Sequence, residues 1–239
     1  MRPFILLGLI CLICPGCRDG DSFRSKTVTD KEMAMEIIEL REKSAPEPGA
    51  PAPDLSLTRY DSGDSVKLSS FWKEKPTVLI FGSLSCDRTF NGAPHVRKLQ
   101  ARFGDQFHFV FVYIREAHPA DGFYSKKDKF PRIIDPTTLE IRRNVAGRLC
   151  RKFEFDFPVL TDSMDDRAAI RYAAWPARIF VVDRKGHIVF KGDPGPWGYR
   201  VSDASNFFLL EEEMEGKTDL PDPLQSISLE TWLMKQIES

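Results

Sequence analysis

The 239-residue sequence has no excess of either charge, only two cysteines after residue 17 and no clustered histidines. Its formal net charge is -1 at pH 7, which provides no electrostatic footprint for nucleic acid. Three of the five cysteines lie in the first 17 residues, and the two that remain, Cys86 and Cys150, form no C-x-x-C pair or metal-ligand spacing. A nucleic-acid partner, a bound metal and a disulfide framework are therefore not expected.

A secretion signal is present at the amino end. Arg2 precedes an apolar run from Phe4 to Cys14, which is too short to span a bilayer as a permanent helix. Gly16-Cys17 then resembles the bacterial lipoprotein cleavage box, in which the cysteine becomes the lipidated first residue. We expect residues 1–17 to be a signal peptide with Cys17 lipidated, and the protein to be exported and membrane-anchored. Secretion without lipid and an uncleaved anchor are the alternatives.

The segment 18–53 is predicted to be a tether between this signal and one domain at 54–239. A capping box at 29–32 starts a short helix, and the proline-rich stretch 45–53 forms a semi-stiff linker. A helix that packs on the domain is the alternative. The length and the 42% of hydrophobic residues suit a single globular core.

The pattern of the domain favours an α/β, thioredoxin-like fold. Its expected elements are strands at 77–81 and 107–114 around a helix that follows Asn91–Pro94, an insertion at 117–138, a helix ending at Phe153, a strand at 157–160, a short helix at 167–174, a hairpin of 179–182 and 188–191, and a terminal helix at 229–237. The insertion separates a βαβ half from a ββα half. In this fold a cis-proline precedes the third core strand and faces a reactive thiol, and Pro176 has that place.

Two segments after neighbouring parallel strands carry the candidate chemistry. Cys86 follows the first strand, and Glu116 with His118 follows the second. Because the carboxyl ends of parallel strands meet at one sheet edge, we expect an exposed sulfur within reach of an imidazole. A thiol beside a base indicates a nucleophile, and an imidazole oriented by a carboxylate can act as a general acid. A buried, inert cysteine is the alternative.

Several motifs resemble the iodothyronine deiodinases and their bacterial relatives. The run 80–88 is similar to the family's reactive segment, with Cys86 in the position of selenocysteine. The run 113–123 is similar to the family's segment containing Glu-Ala-His-Pro-x-Asp-Gly. Further similar stretches lie at 158–164, 172–180 and 191–199, so the resemblance spans roughly 52–199.

The resemblance implies a thiol-dependent oxidoreductase that removes iodide, or another halide, from an aromatic substrate. The Cys86 thiolate would attack the halogen, and His118, held by Glu116, would supply the proton. No bound cofactor is implied; an external thiol reductant or a thioredoxin-like donor would regenerate the sulfur. The supporting or substrate-binding residues, with the possible resolving thiol last, would be Ser83, Ser85, Tyr113, Pro176, Arg178 and Cys150.

Departures from the family pattern keep two other functions open. Leu84 stands where the family has a cysteine, and Asp87-Arg88-Thr89 replaces the residues after the reactive position. The histidine of the family's insertion is missing near Pro136. The alternatives are a peroxiredoxin-like thiol peroxidase or thiol-disulfide oxidoreductase, acting on peroxide or disulfide, and a non-catalytic thioredoxin-fold binding module.

Overall fold

The computed structural model describes residues 31–122, 130–195, 198–205 and 227–238. The predicted signal peptide at 1–17, including Cys17, and the first part of the tether lie outside the described residues. Within the described ranges, every helix is too short or too polar to cross a bilayer.

The described chain is a mixture of helices and strands. They are α1 (Lys31–Glu42), β1 (Ser56–Arg59), β2 (Ser65–Lys67), α2 (Ser69–Trp72), β3 (Thr77–Gly82), α3 (Asp87–Phe103), β4 (His108–Tyr113), α4 (Leu139–Phe153), β5 (Val159–Thr161), α5 (Arg167–Arg171), β6 (Arg178–Val182), β7 (Ile188–Lys191), a 3₁₀ turn (Asp203–Ser205) and α6 (Leu229–Ile237).

The described strands form one sheet in the order β2-β1-β5-β4-β3-β6-β7. β3 and β4 are parallel and joined through α3, whereas β6 is antiparallel to β3 and to β7. The four strands β4-β3-β6-β7, with α3 as the crossover and α6 at the end, form a thioredoxin-like core. The predicted fold is therefore confirmed in this part of the chain.

The side chains of β3 alternate between the two faces of the sheet, and both faces are covered. Every residue of β3 is buried. Val78 and Ile80 point into a core shared with α3, α4 and α6. Leu79 and Phe81 point into a second core shared with α1, α2 and α5. A central parallel strand buried on both faces needs such a continuous apolar run.

Helix α3 begins earlier than the sequence predicted. It starts at Asp87, directly after Cys86, and Pro94 lies inside it rather than before it. Pro94 lies on the exposed side of the helix, where the lost backbone hydrogen bond is tolerated. Thr89, Gly92 and Ala93, in the first two turns, are buried, and this packing outweighs the local turn signal.

The described part of the tether packs on the domain. Ala34 and Ile38 of α1 are buried in the second core. The linker pairs with the segment around β7, since the N–H of Ile188 donates to the carbonyl of Ala50 at 2.9 Å and the N–H of Ala52 donates to Gly186 at 2.8 Å. The proline-rich stretch therefore extends the sheet edge, and from α1 onward this part of the chain is fixed to the domain.

Candidate active site

The two predicted segments meet at the carboxyl edge of β3 and β4. Cys86 is the N-cap residue of α3, and the loop after β4 carries Glu116 and His118. The parallel pairing of the strands continues past their ends, because the N–H of Ile114 donates to the carbonyl of Gly82 at 3.0 Å. The structure thus places the thiol loop and the carboxylate loop side by side.

Glu116 is the centre of a buried hydrogen-bond network, which we call the carboxylate half of the site. Its carboxylate accepts from the N–H of Ser85 at 3.0 Å, from the hydroxyl of Ser85 at 2.5 Å and from the hydroxyl of Tyr113. The Tyr113 hydroxyl in turn accepts from the N–H of Leu84 at 3.0 Å. Burial raises the pKa of Glu116, against the opposing effect of its bonds to Ser85 and Tyr113.

His118 is held through the main chain. Its N–H donates to the Ser85 hydroxyl oxygen at 3.1 Å, and the N–H of Ala117 donates to the Ser83 hydroxyl oxygen at 3.1 Å. The predicted direct hold of Glu116 on the imidazole therefore takes another form. Ser85 donates to the carboxylate and accepts from the His118 backbone, which links the two residues.

The thiol is covered, which corrects the expectation of an exposed sulfur. Cys86 is only 1% exposed. Burial is the main cause that raises the pKa of its thiol to about 11, and the charge of Asp87 acts in the same direction. The N–H groups of Thr89 and Arg88 and the Thr89 hydroxyl oppose this, as donors at a helix N-terminus do for an anion. Burial dominates, so the thiol is neutral at pH 7 in this state.

The cover includes the segment Gly198–Ser205, which we call the strap. Tyr199 and Val201 of the strap belong to the same core as Cys86 and lie against Gly92 of α3. A Cβ added at Gly92 would lie 2.9 Å from the Tyr199 ring and 3.0 Å from Val201. The strap therefore crosses α3 within van der Waals contact, and Gly92 is the residue that permits this approach.

The remaining predicted site residues are split between the site and the scaffold. Pro176 is buried and follows a cis peptide bond, as expected for its place before β6. Arg178 was predicted to contact substrate, but its side chain is 0% exposed and donates to Glu42 at 2.5 Å and to the carbonyl of Gly192 at 2.7 Å. That prediction is wrong in this structure, because Arg178 fastens α1 to the sheet.

Cys150 does not lie beside Cys86. Its sulfur donates to the carbonyl of Phe155 at 3.3 Å, and its hydrogen bond is the first cause that raises the pKa of Tyr60 to about 12. Tyr60 bonds to Val159, at the start of β5 and hence at the opposite sheet edge. Along α4, Cys150 lies about three helical turns, or roughly 16 Å, after the first residue of the helix, Leu139. It is not placed to resolve an oxidised Cys86.

Two hydroxyl residues near the sulfur were not predicted as site residues. Thr89 lies in the first turn of α3, and Tyr199 closes the last motif that resembled the family. Both are buried. Spacing alone could have indicated Thr89, because the third residue after an N-cap points its N–H at the capping side chain. Tyr199 reaches the site only through the fold.

Free thiols and potential metal ligands remain dispersed within the described ranges. Cys86 and Cys150 are free cysteines. No three His, Cys, Asp or Glu side chains of the described residues come together in a metal-binding arrangement.

Comparison with known proteins identifies similar sequences over most of the chain. The family model described as iodothyronine deiodinase matches residues 15–212. Thyroxine 5-deiodinase of Gallus gallus is 32% identical over 156 residues, which are 65% of this chain and 59% of that protein. Type I iodothyronine deiodinase of Xenopus laevis is 31% identical over 64% of this chain and 57% of its own length. The match thus spans about three fifths of the length of these curated relatives.

A solved structure with similar architecture is peroxidoxin BcpB of Mycobacterium tuberculosis. It has a TM-score of 0.47 and 17% sequence identity, and the match covers 67% of this chain and 91% of that one. Likeness at this level carries no argument about activity.

Proposed function

The chain belongs to the iodothyronine deiodinase family, and we propose that it removes iodide, or another halide, reductively from an aromatic substrate through the Cys86 thiol. The observation that carries this proposal is the position of Cys86 at the N-cap of α3, one loop away from the buried Glu116 network. A helix N-terminus favours a thiolate, and the network offers a path for a proton.

The first step forms a sulfur–halogen bond. The Cys86 thiolate attacks the ring halogen, the carbon–halogen bond breaks, and the electron pair of that bond stays on the ring carbon. His118, held by Ser85, delivers a proton to that carbon, so that the ring leaves with hydrogen in place of the halogen. Glu116, which shares hydrogen bonds with Ser85 and Tyr113, keeps this loop in place.

The second step restores the thiol at the expense of an external reductant. A reductant thiolate attacks the sulfur–halogen group, the halide leaves, and a mixed disulfide with Cys86 forms. A second reductant thiol then breaks this disulfide and returns Cys86 to the thiol. The external dithiol is needed because Cys150 lies at the opposite sheet edge and Leu84 replaces the family's nearby cysteine.

Substrate reaches the sulfur only when the cover moves, because Cys86 is 1% exposed. Such motions are ordinary for enzymes that exclude water during the reaction. A neutral thiol with a pKa of about 11 is also a poor nucleophile at pH 7. We therefore expect slow turnover whose rate increases with pH.

The test is a paired assay with the full chain and dithiothreitol. Iodide release from an iodinated phenol is measured for the wild type and for Cys86→Ser, with Cys150→Ser as the matched control. The proposal requires release that Cys86→Ser abolishes and Cys150→Ser leaves in place. Rapid consumption of hydrogen peroxide without iodide release would instead identify a thiol peroxidase. If neither reaction occurs, a binding module is the better interpretation.

We further propose that the protein is exported and anchored through a lipid on Cys17. The support is the apolar run followed by the small residue and cysteine at the amino end. Membrane fractionation of the wild type and of Cys17→Ser tests this, since the variant should leave the membrane fraction. A variant that stays wholly in membranes would contradict lipid anchoring.

A further inference from the structure

Two buried hydroxyl groups beside the reactive cysteine make no hydrogen bond within the described residues. They are the side-chain oxygens of Thr89 and Tyr199. Thr89 is 0% exposed and Tyr199 is 2% exposed. A buried hydroxyl without a partner costs free energy, so such groups persist where another state of the molecule uses them.

The Thr89 hydroxyl is confined at the end of the strand that leads to Cys86. A Cβ added at Gly82 would lie 2.1 Å from this oxygen, so the hydroxyl occupies the space that a larger residue at the end of β3 would take. Both the hydroxyl and the N–H of Thr89 are close enough to Cys86 to lower the pKa of its thiol. Thr89 thus offers two donors to one sulfur.

The Tyr199 hydroxyl approaches from the strap. Its ring lies on Gly92, one to two turns along α3 from the cysteine, and belongs to the same core as the sulfur. Burial and then the charge of Cys86 raise the pKa of Tyr199, so the phenol stays protonated and remains a donor. An O–H in the same core as an ionising sulfur is suited to donate a hydrogen bond to it when the two approach.

We propose that the hydroxyls of Thr89 and Tyr199 are the groups that bind the charged sulfur of Cys86, each donating a hydrogen bond once the thiol has lost its proton to solvent base. In the neutral state the thiol is a weak acceptor and the two donors stay unsatisfied. In the charged state they gain a strong acceptor, and the α3 N-terminus adds its N–H groups. Ionisation of Cys86 thus supplies the acceptor that the Thr89 and Tyr199 hydroxyls lack in the neutral state.

This proposal makes an unusual pair of predictions for conservative variants. Thr89→Val and Tyr199→Phe remove hydroxyls that are unsatisfied in the resting protein, so the melting temperature should stay equal or rise. The same variants remove donors to the thiolate, so alkylation of Cys86 by iodoacetamide at pH 8 should slow about tenfold in each. The midpoint of the alkylation–pH profile should move upward.

Matched controls are buried hydroxyls that already have partners elsewhere. Tyr172→Phe loses the hydrogen bond to the carbonyl of Pro53, and Thr161→Val loses the bond to the carbonyl of Thr58. Both controls should lower the melting temperature and leave Cys86 alkylation unchanged. Thr89→Ser keeps the hydroxyl and should retain the wild-type profile.

If Thr89→Val fails to fold, Thr89→Ser and Thr89→Ala supply a second comparison of Cys86 alkylation, with the hydroxyl present in the first and absent in the second. An unshifted alkylation profile in both Thr89→Val and Tyr199→Phe would overturn the proposal, as would a loss of melting temperature equal to that of the controls. The inference relies on Cys86 being the reacting group of the proposed function, but alkylation needs no halogenated substrate. Absence of iodide release with a shifted profile would therefore refute only the dehalogenation.

Discussion

The two halves of the site differ in how their polar groups are satisfied. In the carboxylate half, Glu116 accepts from Ser85 and Tyr113, and the Tyr113 hydroxyl also accepts from a backbone N–H. In the sulfur half, which consists of Cys86, Asp87, Thr89 and Tyr199, the Thr89 and Tyr199 hydroxyls make no hydrogen bond within the described residues.

The hydrogen bonds of the carboxylate half are complete at rest, whereas we propose that the hydroxyls of the sulfur half gain theirs only when Cys86 ionises. The carboxylate half ties the loop after β4 to the loop after β3, so it contributes to stability. The sulfur half keeps a neutral thiol under a cover. Changes in the first half should therefore reduce stability, whereas changes in the second should mainly alter the reactivity of the thiol.

The largest effect is expected from Glu116→Ala. This change leaves the Tyr113 hydroxyl and the Ser85 N–H and hydroxyl without their acceptor inside the protein. We expect the free energy of unfolding to fall by about 3 kcal/mol or more, measured by urea denaturation. Glu116→Gln, which keeps an acceptor oxygen, should lose less. A loss below about 1 kcal/mol for the alanine variant would remove the distinction between the halves.

A smaller effect should appear at high pH. The pKa of Cys86 is raised from 9.0 to about 11 in the folded protein. Above pH 9 the unfolded chain therefore loses this proton while the folded chain retains it, and stability falls as pH rises from 9 towards 11. Between pH 8 and pH 10 this group should cost about 1 kcal/mol of unfolding free energy. Urea titrations of the wild type and Cys86→Ala measure it as their difference; parallel pH dependences would refute it.

Asp87→Asn should make the Cys86 thiol more reactive with little effect on the stability of the protein. The charge of Asp87 raises the pKa of Cys86, and its carboxylate accepts the N–H of Arg88 at 2.8 Å. Removing the charge should lower the thiol pKa and speed alkylation at pH 8 about fivefold, with unfolding free energy changed by about 1 kcal/mol or less. Asp61→Asn, remote from the site, is the control. Alkylation that stays at the wild-type rate would show that this charge does not reach the sulfur.

The smallest effect is expected from Gly92→Ala, which tests the strap. The new Cβ would meet Tyr199 at 2.9 Å and Val201 at 3.0 Å, so the strap must shift outward. We expect Cys86 to be alkylated about threefold faster, because about 0.7 kcal/mol of lost contact suffices for that factor. Gly147→Ala, on α4 against Tyr60, is the matched helix control and should leave alkylation unchanged. If both variants label like the wild type, the strap does not limit access.

Local sequence patterns predicted the parts of the fold that depend on nearby residues. The apolar runs at β3 and β4 and the terminal helix Leu229–Ile237 were confirmed in place. The start of α3 was missed because Asn91–Pro94 has the local chemistry of a turn, while burial of Thr89, Gly92 and Ala93 extends the helix across it. Tertiary packing, which the local pattern does not contain, decided that boundary.

In the candidate site, too, contacts between residues far apart in the sequence could not be predicted from local patterns. The loop that carries Cys86 and the loop that carries Glu116 and His118 lie side by side, because the edge of a parallel sheet is a consequence of topology. The approach of the sulfur to the imidazole stays a prediction. The partner of Arg178 is Glu42, 136 residues away, and charge alone had favoured a substrate contact. The strap lies more than one hundred residues after Cys86 and packs in the same core as the sulfur, so the burial of Cys86 could not be read from its neighbours in sequence alone.

The pH profile of Cys86 alkylation in the native wild-type protein tests most directly whether the sulfur half rests as a covered, neutral thiol. The alkylated peptide is quantified by mass spectrometry between pH 6 and pH 11. Slow labelling is expected, with a midpoint well above that of an ordinary cysteine and near 11. Rapid labelling with a midpoint below about 8, in the range of activated cysteines, would contradict the covered, neutral resting state.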